Sequence, residues 1–215
     1  MTEYLTEQEQ IQQLKNWVKQ YGLTILLGIL IALILSSGWR FWQHRHDKML
    51  RHASAVYDEM IAMRAQNNTK GTVIQAQKLL THYPKTPYAE MAALLLARND
   101  AINSKYDEAI TQFNWVINHS KNSALREIAR IRIARILITQ KKPDDALEVL
   151  KKVTNKSFFG LADEVRGDAY LARHDIASAR KAYQLALEEL PNAETSRPIL
   201  EMKYDNLAIE PSKNA

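Results

Sequence analysis

The sequence has no cysteine, and its 215 residues include only six glycines and six prolines. Without cysteine the chain can form no disulfide, no thiolate metal site and no cysteine nucleophile, and it cannot carry a lipid on an N-terminal cysteine. It also lacks the Gly-x-Gly, Gly-Lys-Ser/Thr, His-Glu-x-x-His and Gly-x-Ser-x-Gly motifs of phosphate-binding, zinc and serine enzymes. We therefore predict no catalytic residue, no metal and no cofactor.

Positive charge is not concentrated in any part of the chain. Lys and Arg number 29 against 24 Asp and Glu, which leaves a net charge of +5. Residues 1–52 contribute six bases and four acids, a net of +2, so the remaining residues carry only +3. Because a nucleic-acid surface needs clustered Lys and Arg, this distribution predicts no nucleic-acid partner. A content of 46% hydrophobic and 25% charged residues predicts a folded chain.

Twenty uncharged residues lie between Lys19 and Arg40. As a helix they would span about 30 Å, the thickness of the hydrocarbon core of a bilayer. We predict a transmembrane helix over residues 20–42, in contact with membrane lipid. Aromatic side chains of the kind that prefer the lipid headgroups flank it at both ends: Trp17, Tyr21, Trp39, Phe41 and Trp42.

Small residues recur along one side of this segment. Gly28, Ala32 and Ser36 are four residues apart, which makes them a candidate packing face for another transmembrane helix. Ser36 and Gly38 are also spaced as at a signal-peptide cleavage site. The long apolar run and the three Glu before it favour an uncleaved anchor.

Charge alone leaves the orientation open. Four bases closely follow the segment and two precede it, so a simple positive-inside count places the C-terminal bulk in the cytoplasm. That rule applies to short loops, and a long C-terminal tail can translocate largely regardless of such charges.

The segment after the membrane helix has neither Gly nor Pro from Trp39 to Lys70, so a single helix over about residues 20–66 is expected. A stripe of apolar residues at helical spacing predicts that its second half packs on the helices that follow. The stripe consists of Met49, Ala53, Val56, Met60 and Met63.

A repeat of 33–37 residues follows. Three segments each contain a small residue (Ala97, Ala134 and Gly167), and in each segment apolar or aromatic residues follow it at offsets 9, 12, 16 and 19, with Pro143 the one exception. The alanines at offset 12 are Ala109, Ala146 and Ala179, separated by 37 and 33 residues. This period brackets the 34 residues of a tetratricopeptide repeat. In such a hairpin the small residue lets the second helix approach closely, and each hairpin must stack on its neighbours to bury its apolar faces.

The predicted fold class is therefore all-α. A transmembrane helix continues into a stalk, followed by an α-solenoid of about three to four tetratricopeptide-like hairpins and a C-terminal capping helix that begins near Pro198. The predicted domains are an N-terminal segment over residues 1–19, the transmembrane helix, a repeat domain over residues 43–209 and a flexible tail over residues 210–215.

Three stretches carry a family resemblance: Gly-Trp-Arg-Phe-Trp at 38–42, the last repeat with Arg-Gly-Asp at 166–168 and Ala-Arg at 179–180, and Glu-Met-Lys-Tyr-Asp-Asn-Leu at 201–207. Together they resemble the YfgM-like ancillary subunits of the bacterial SecYEG translocon. The resemblance covers nearly the whole chain.

The resemblance implies a single-pass inner-membrane protein with a cytoplasmic N-terminus and a periplasmic tetratricopeptide domain. The implied partners are the SecYEG translocon, a membrane-anchored periplasmic chaperone of the prolyl-isomerase type and translocating polypeptides, which the protein would help pass to periplasmic chaperones. The alternative is a scaffold of another cell-envelope assembly complex, because repeats specify binding without naming a partner.

By analogy with tetratricopeptide proteins, the first helix of each repeat would line a partner-binding groove. Leu94 and Arg98 occupy positions where carboxylate-clamp adaptors have Lys and Asn, which disfavours a cytosolic heat-shock-protein adaptor. An equally plausible reading is that several of the apolar lining residues pack against the cap or the adjacent repeat. The candidate lining consists of Met91, Leu94, Arg98, Ile128, Ile131, Arg135, Leu161, Glu164 and Asp168.

Overall fold

The computed structural model of the chain describes residues 7–190 and 197–207. These residues form nine α-helices and contain no strand, as the all-α prediction requires. The predicted tail over residues 210–215 lies outside the described residues. The helices are α1 Glu7–Ala65, α2 Thr69–His82, α3 Pro87–Ile102, α4 Tyr106–His119, α5 Ser123–Thr139, α6 Pro143–Leu150, α7 Phe159–Ala172, α8 Ile176–Glu189 and α9 Arg197–Asp205, and a 3-10 helix, Lys156–Phe158, precedes α7.

The chain divides into two compact units between His52 and Ala53. The first unit contains the apolar stretch of α1, which is the one helix among the described residues that is long and apolar enough to cross a membrane. The side chains described along this stretch are exposed. Helix α1 begins at Glu7, earlier than the predicted start near Gln20. No Gly or Pro interrupts residues 7–19, and Glu7 and Glu9 are favourable at a helix N-terminus, so the helix extends beyond the apolar run.

In the second unit, the end of α1 pairs with α2 and three further hairpins follow, α3/α4, α5/α6 and α7/α8. The turn inside each hairpin has one residue in the left-handed conformation: Asn67, Ser104, Lys141 and His174, with φ of 56–63°. The amide of the next residue donates to the carbonyl five residues back, for example Lys105 to Asp100 at 2.8 Å. These Schellman turns recur at intervals of 37, 37 and 33 residues, so the first hairpin is a fourth copy of the same repeat.

Polar caps and prolines fix the helix starts. Thr86 accepts a hydrogen bond from the amide of Ala89, and Pro87 occupies the first turn of α3. Asp175 accepts from the amide of Ser178 at the start of α8. The starts of α3 and α8 are therefore specified by the local sequence.

Alanine residues fill the closest contacts between helices. Ala109, Ala146 and Ala179, the three repeat positions identified from spacing, are all fully buried. Three of the five residues of the predicted stripe of α1 pack as expected, since Ala53, Val56 and Met60 are buried in one cluster with residues of α2 and α3. Met49 and Met63 are only half-buried. A second cluster holds buried residues of α3 to α7, and a third joins α8 to Leu200 of α9.

Gly167 of α7 leaves room for the ring of Tyr183 from α8 in the last hairpin. A Cβ on Gly167 would lie 2.2 Å from the Tyr183 ring, well inside any van der Waals contact. Tyr183 is itself fully buried. The α3/α4 and α5/α6 hairpins have Ala97 and Ala134 at the equivalent position, so among these three hairpins only the last combines a bare backbone with a large aromatic ring.

Candidate functional site

One face of the hairpins carries most of the predicted lining, and we call the surface formed by α3, α5 and α7 the groove face. Arg98 of α3 and Arg135 of α5 line the same cavity. Arg135 in turn donates to Glu164 of α7 at 3.3 Å. The structure thus brings charged residues of three successive repeats into one row, which ends at Asp168.

The cavity between α3 and α5 is open and has a volume of about 320 Å³. Its apolar wall is made by Ala101, Ile102, Phe113 and Ile136. Phe113 and Ile136 are buried in the core, whereas Ile102 is 71% exposed. A partner side chain entering this cavity would meet a fixed apolar wall, and an exposed Ile at its edge would lose contact with water.

Three guanidinium groups surround this apolar wall: Arg98, Arg132 and Arg135. Arg135 pairs with Glu164 but its side chain is still 52% exposed. Arg98 and Arg132 are exposed, and neither has a carboxylate within 4.0 Å in residues 7–190 or 197–207. The cavity therefore combines apolar surface with positive charge that the described part of the chain leaves largely uncompensated.

A second cavity of about 260 Å³ adjoins the first. Arg98 and Ile102 of α3 line both cavities. Arg64 adds a further positive charge at the far end. Arg64 of α1, Arg98 of α3, and Arg132 and Arg135 of α5 therefore extend the basic lining of the two cavities from the first hairpin to the third.

The groove face is acidic at α7, and α9 covers it there. Lys203 of α9 donates to Glu164 at 2.9 Å and to both oxygens of Asp168 at 2.8 and 3.1 Å. Asp168 also accepts from the Tyr183 hydroxyl at 2.7 Å. The two predicted lining carboxylates of the last repeat are thus bound within the protein.

This contact shifts the pKa of two groups. Burial raises the pKa of Tyr183 strongly, and the hydrogen bond to Asp168 adds to the effect. For Lys203, burial lowers the pKa, but the hydrogen bonds to Asp168 and Glu164 outweigh it and the net pKa is raised. Both groups therefore stay protonated at neutral pH and act as donors to the carboxylates.

The remaining predicted lining residues differ in accessibility. Met91 is 39% exposed, and Ile128 is half-buried. Leu94 and Leu161 are half-buried and pack against the central core. Ile131 is an exception to the predicted lining, because it is buried in that core and presents no surface to a partner.

Sequence reasoning missed Arg132 on this face, and it missed Lys203 and Tyr183 as hydrogen-bond partners of its acidic residues. Arg132 lies four residues after Ile128 and three before Arg135, so helical spacing could have found it. Lys203 is 35 residues from Asp168, and no local pattern connects them.

The predicted packing face of small residues lies on the apolar segment of α1. Gly28, Ala32 and Ser36 are all exposed in their unit. A Cβ placed on Gly28 would have no atom within 4 Å, so this side of the helix is free of other described residues.

The chain is similar to proteins of one known family along nearly its whole length. A family model described as a tetratricopeptide repeat-like domain matches residues 15–209. The chain is 31% identical over 209 residues to the ancillary SecYEG translocon subunit of Neisseria gonorrhoeae, an alignment that covers 96% of this chain and all of the relative. It is 24% identical to the ancillary SecYEG translocon subunit of Escherichia coli, over 96% of this chain and 98% of the relative.

A solved structure is similar in fold. The double mutant MamA RS-1 ArsTM superimposes with a TM-score of 0.53 at 16% identity, over 72% of this chain and 93% of the other. At that identity the likeness concerns the helical-repeat fold alone.

Proposed function

This chain belongs to the tetratricopeptide repeat-like family that includes the ancillary SecYEG translocon subunits, and we propose that it is a membrane-anchored interaction scaffold of that translocon. The observation that carries the proposal is the end-to-end alignment with the Neisseria gonorrhoeae subunit, which leaves no part of that relative unmatched. The anchor and the repeats are therefore shared as one architecture.

In this proposal the protein lies in the inner membrane with its N-terminus in the cytoplasm and its repeat domain in the periplasm. The groove face binds polypeptides as they emerge and passes them to periplasmic chaperones, one of which is a membrane-anchored prolyl isomerase. An open cavity that combines apolar and cationic groups supports a polypeptide ligand, because peptide-binding grooves use the same combination. The small-residue side of the apolar helix would contact a translocon helix.

The orientation can be tested by labelling single cysteines, because the natural chain has none. Lys152→Cys places a thiol at an exposed position after α6, and Gln12→Cys places one at an exposed position in the N-terminal segment. A thiol reagent that enters the periplasm but does not cross the inner membrane should label Lys152→Cys in whole cells. The Gln12→Cys chain should react only after the membrane is permeabilised, and the reverse pattern would refute the proposed orientation.

Photo-crosslinking in intact cells tests the partners. A photo-reactive amino acid at Ala32 should give crosslinks to translocon subunits, and one at Ile34, about 200° around the helix, should give fewer. Within the repeats, Ile102 borders the cavity and should crosslink to translocating polypeptides. Ile74 is a matched control, because it is also an exposed Ile, 62% accessible, and lies outside both cavities of the groove face.

The crosslinking result also separates the proposal from its main alternative. Crosslinks from Ala32 and Ile102 to a wall-building or outer-membrane assembly complex, without any to translocon subunits, would replace the translocon by that complex.

A further inference from the structure

The basic part of the groove face carries a more specific inference, which rests on the proposed scaffold function. We propose that the cavity between α3 and α5 binds acidic segments of polypeptides, with Arg98 and Arg132 pairing with carboxylates while Ile102 and Phe113 contact adjacent apolar side chains.

The first argument comes from how the arginines of α5 are used. Arg126 donates to the carbonyl of Ser120 and Arg130 to the carboxylate of Glu127. Arg135 donates to Glu164. Arg132 alone on this helix makes no hydrogen bond in the described part of the chain, although it borders an apolar cavity.

Arg98 of α3 is in the same situation across the cavity. Two unpaired guanidinium groups on facing helices leave a positive field over an apolar wall, which disfavours a purely apolar or cationic ligand. A guanidinium fork matches the two oxygens of a carboxylate, so Asp or Glu in a ligand would supply the missing partners.

The other end of the groove face shows the opposite arrangement. There the lining is acidic, with Glu164 and Asp168, and the helix lying against it is α9, which supplies Lys203. A helical segment of this chain thus already packs on the face by charge complementarity. The basic end calls for a segment of the opposite sign, which the described part of the chain does not supply.

Binding of two labelled peptides to the full-length chain in detergent tests the inference. The peptides share their length and their apolar residues, and carry either Glu or Lys at every charged position. Fluorescence anisotropy should show that the Glu peptide binds and that the Lys peptide binds at least about tenfold more weakly. Binding of the Glu peptide should weaken as salt is added, because both arginines are exposed.

Substitution of the two arginines assigns the site. Arg98→Gln with Arg132→Gln should weaken binding of the Glu peptide about tenfold, at about threefold for each exposed pair. The matched control is Lys121→Gln with Lys142→Gln, which removes the same charge from two exposed positions outside the cavity and should change binding little.

A charge reversal adds a readout that general destabilisation would not produce. Arg98→Glu with Arg132→Glu should bind the Lys peptide in preference to the Glu peptide. Equal affinity for both peptides, no binding of either, or equal losses in the cavity and control variants would each overturn the inference. Crosslinks from Ala32 to the translocon would be unaffected by any of these results, so the proposed function is tested separately.

Discussion

Gly167→Ala is expected to destabilise the repeat domain by about 2 kcal/mol. The added methyl group would lie 2.2 Å from the Tyr183 ring, and overpacking of this kind costs up to about 3 kcal/mol. Alanine is a better helix former than glycine and offsets about 1 kcal/mol of that cost. The midpoint of unfolding of the full-length chain, followed by circular dichroism, measures the difference.

The α5/α6 hairpin suggests how to restore the stability. There Ala134 occupies the position of Gly167 and Leu150 that of Tyr183, and both residues are fully buried. The double variant Gly167→Ala with Tyr183→Leu reproduces this pair in the last repeat. It should be more stable than the sum of the two single changes predicts, by about 2 kcal/mol of coupling.

Tyr183→Phe is the matched control for this comparison of single and double variants. It removes the hydroxyl that donates to Asp168 but keeps the ring that Gly167 accommodates. Gly167→Ala should therefore remain as damaging in the Phe background as in the natural chain. An additive result in the Leu background would show that the ring is not what requires glycine at this position.

Spacing in the sequence was sufficient to predict the repeats because the closest helix contacts use small residues at fixed offsets. Ala109, Ala146 and Ala179 are fully buried for that reason. The fourth copy at the end of α1 did not pass the same test, since Met60 stands where the other repeats have Ala or Gly. Its turn at Asn67 identifies it from backbone geometry instead.

Helix α5 shows why the lining of the groove face could be predicted only in part. Ile131, Ile133 and Ile136 are all buried, so this helix contacts neighbours on more than one side. A pattern with apolar residues around much of a helix does not specify which of them faces a groove. For this reason the sequence pattern assigned Ile131 to the groove, whereas the structure places it in the core.

Lys203→Met is expected to release α9 from α7. Lys203 is about three-quarters buried and is bonded to both Glu164 and Asp168. Its removal would leave the two carboxylates near each other without this cation, at a cost of about 2 kcal/mol, less than for a fully buried pair because water partly screens the site. Hydrogen exchange of the α9 amides should accelerate about 30-fold as a result.

The matched control is Lys181→Met, which makes the same substitution at an exposed position of α8 and should leave exchange in α9 unchanged. Adding Glu164→Gln and Asp168→Asn to Lys203→Met should recover part of the lost protection, because neutral side chains no longer repel each other. Protection of α9 that is the same in the natural chain and in Lys203→Met would show that apolar contacts such as Leu200 hold the helix alone.

The pH dependence distinguishes loss of charge from loss of packing. Because the pKa of Lys203 is raised in the folded protein, its ionic contribution is fully present below the ordinary value of 10.5 and is lost as pH rises through the higher folded value. The difference in the free energy of unfolding between the natural chain and Lys203→Met should therefore stay constant from neutral pH to about 10.5 and shrink above that pH. A difference that persists at still higher pH would arise from the packing of the Lys203 side chain, since methionine would then be compared with a neutral amine.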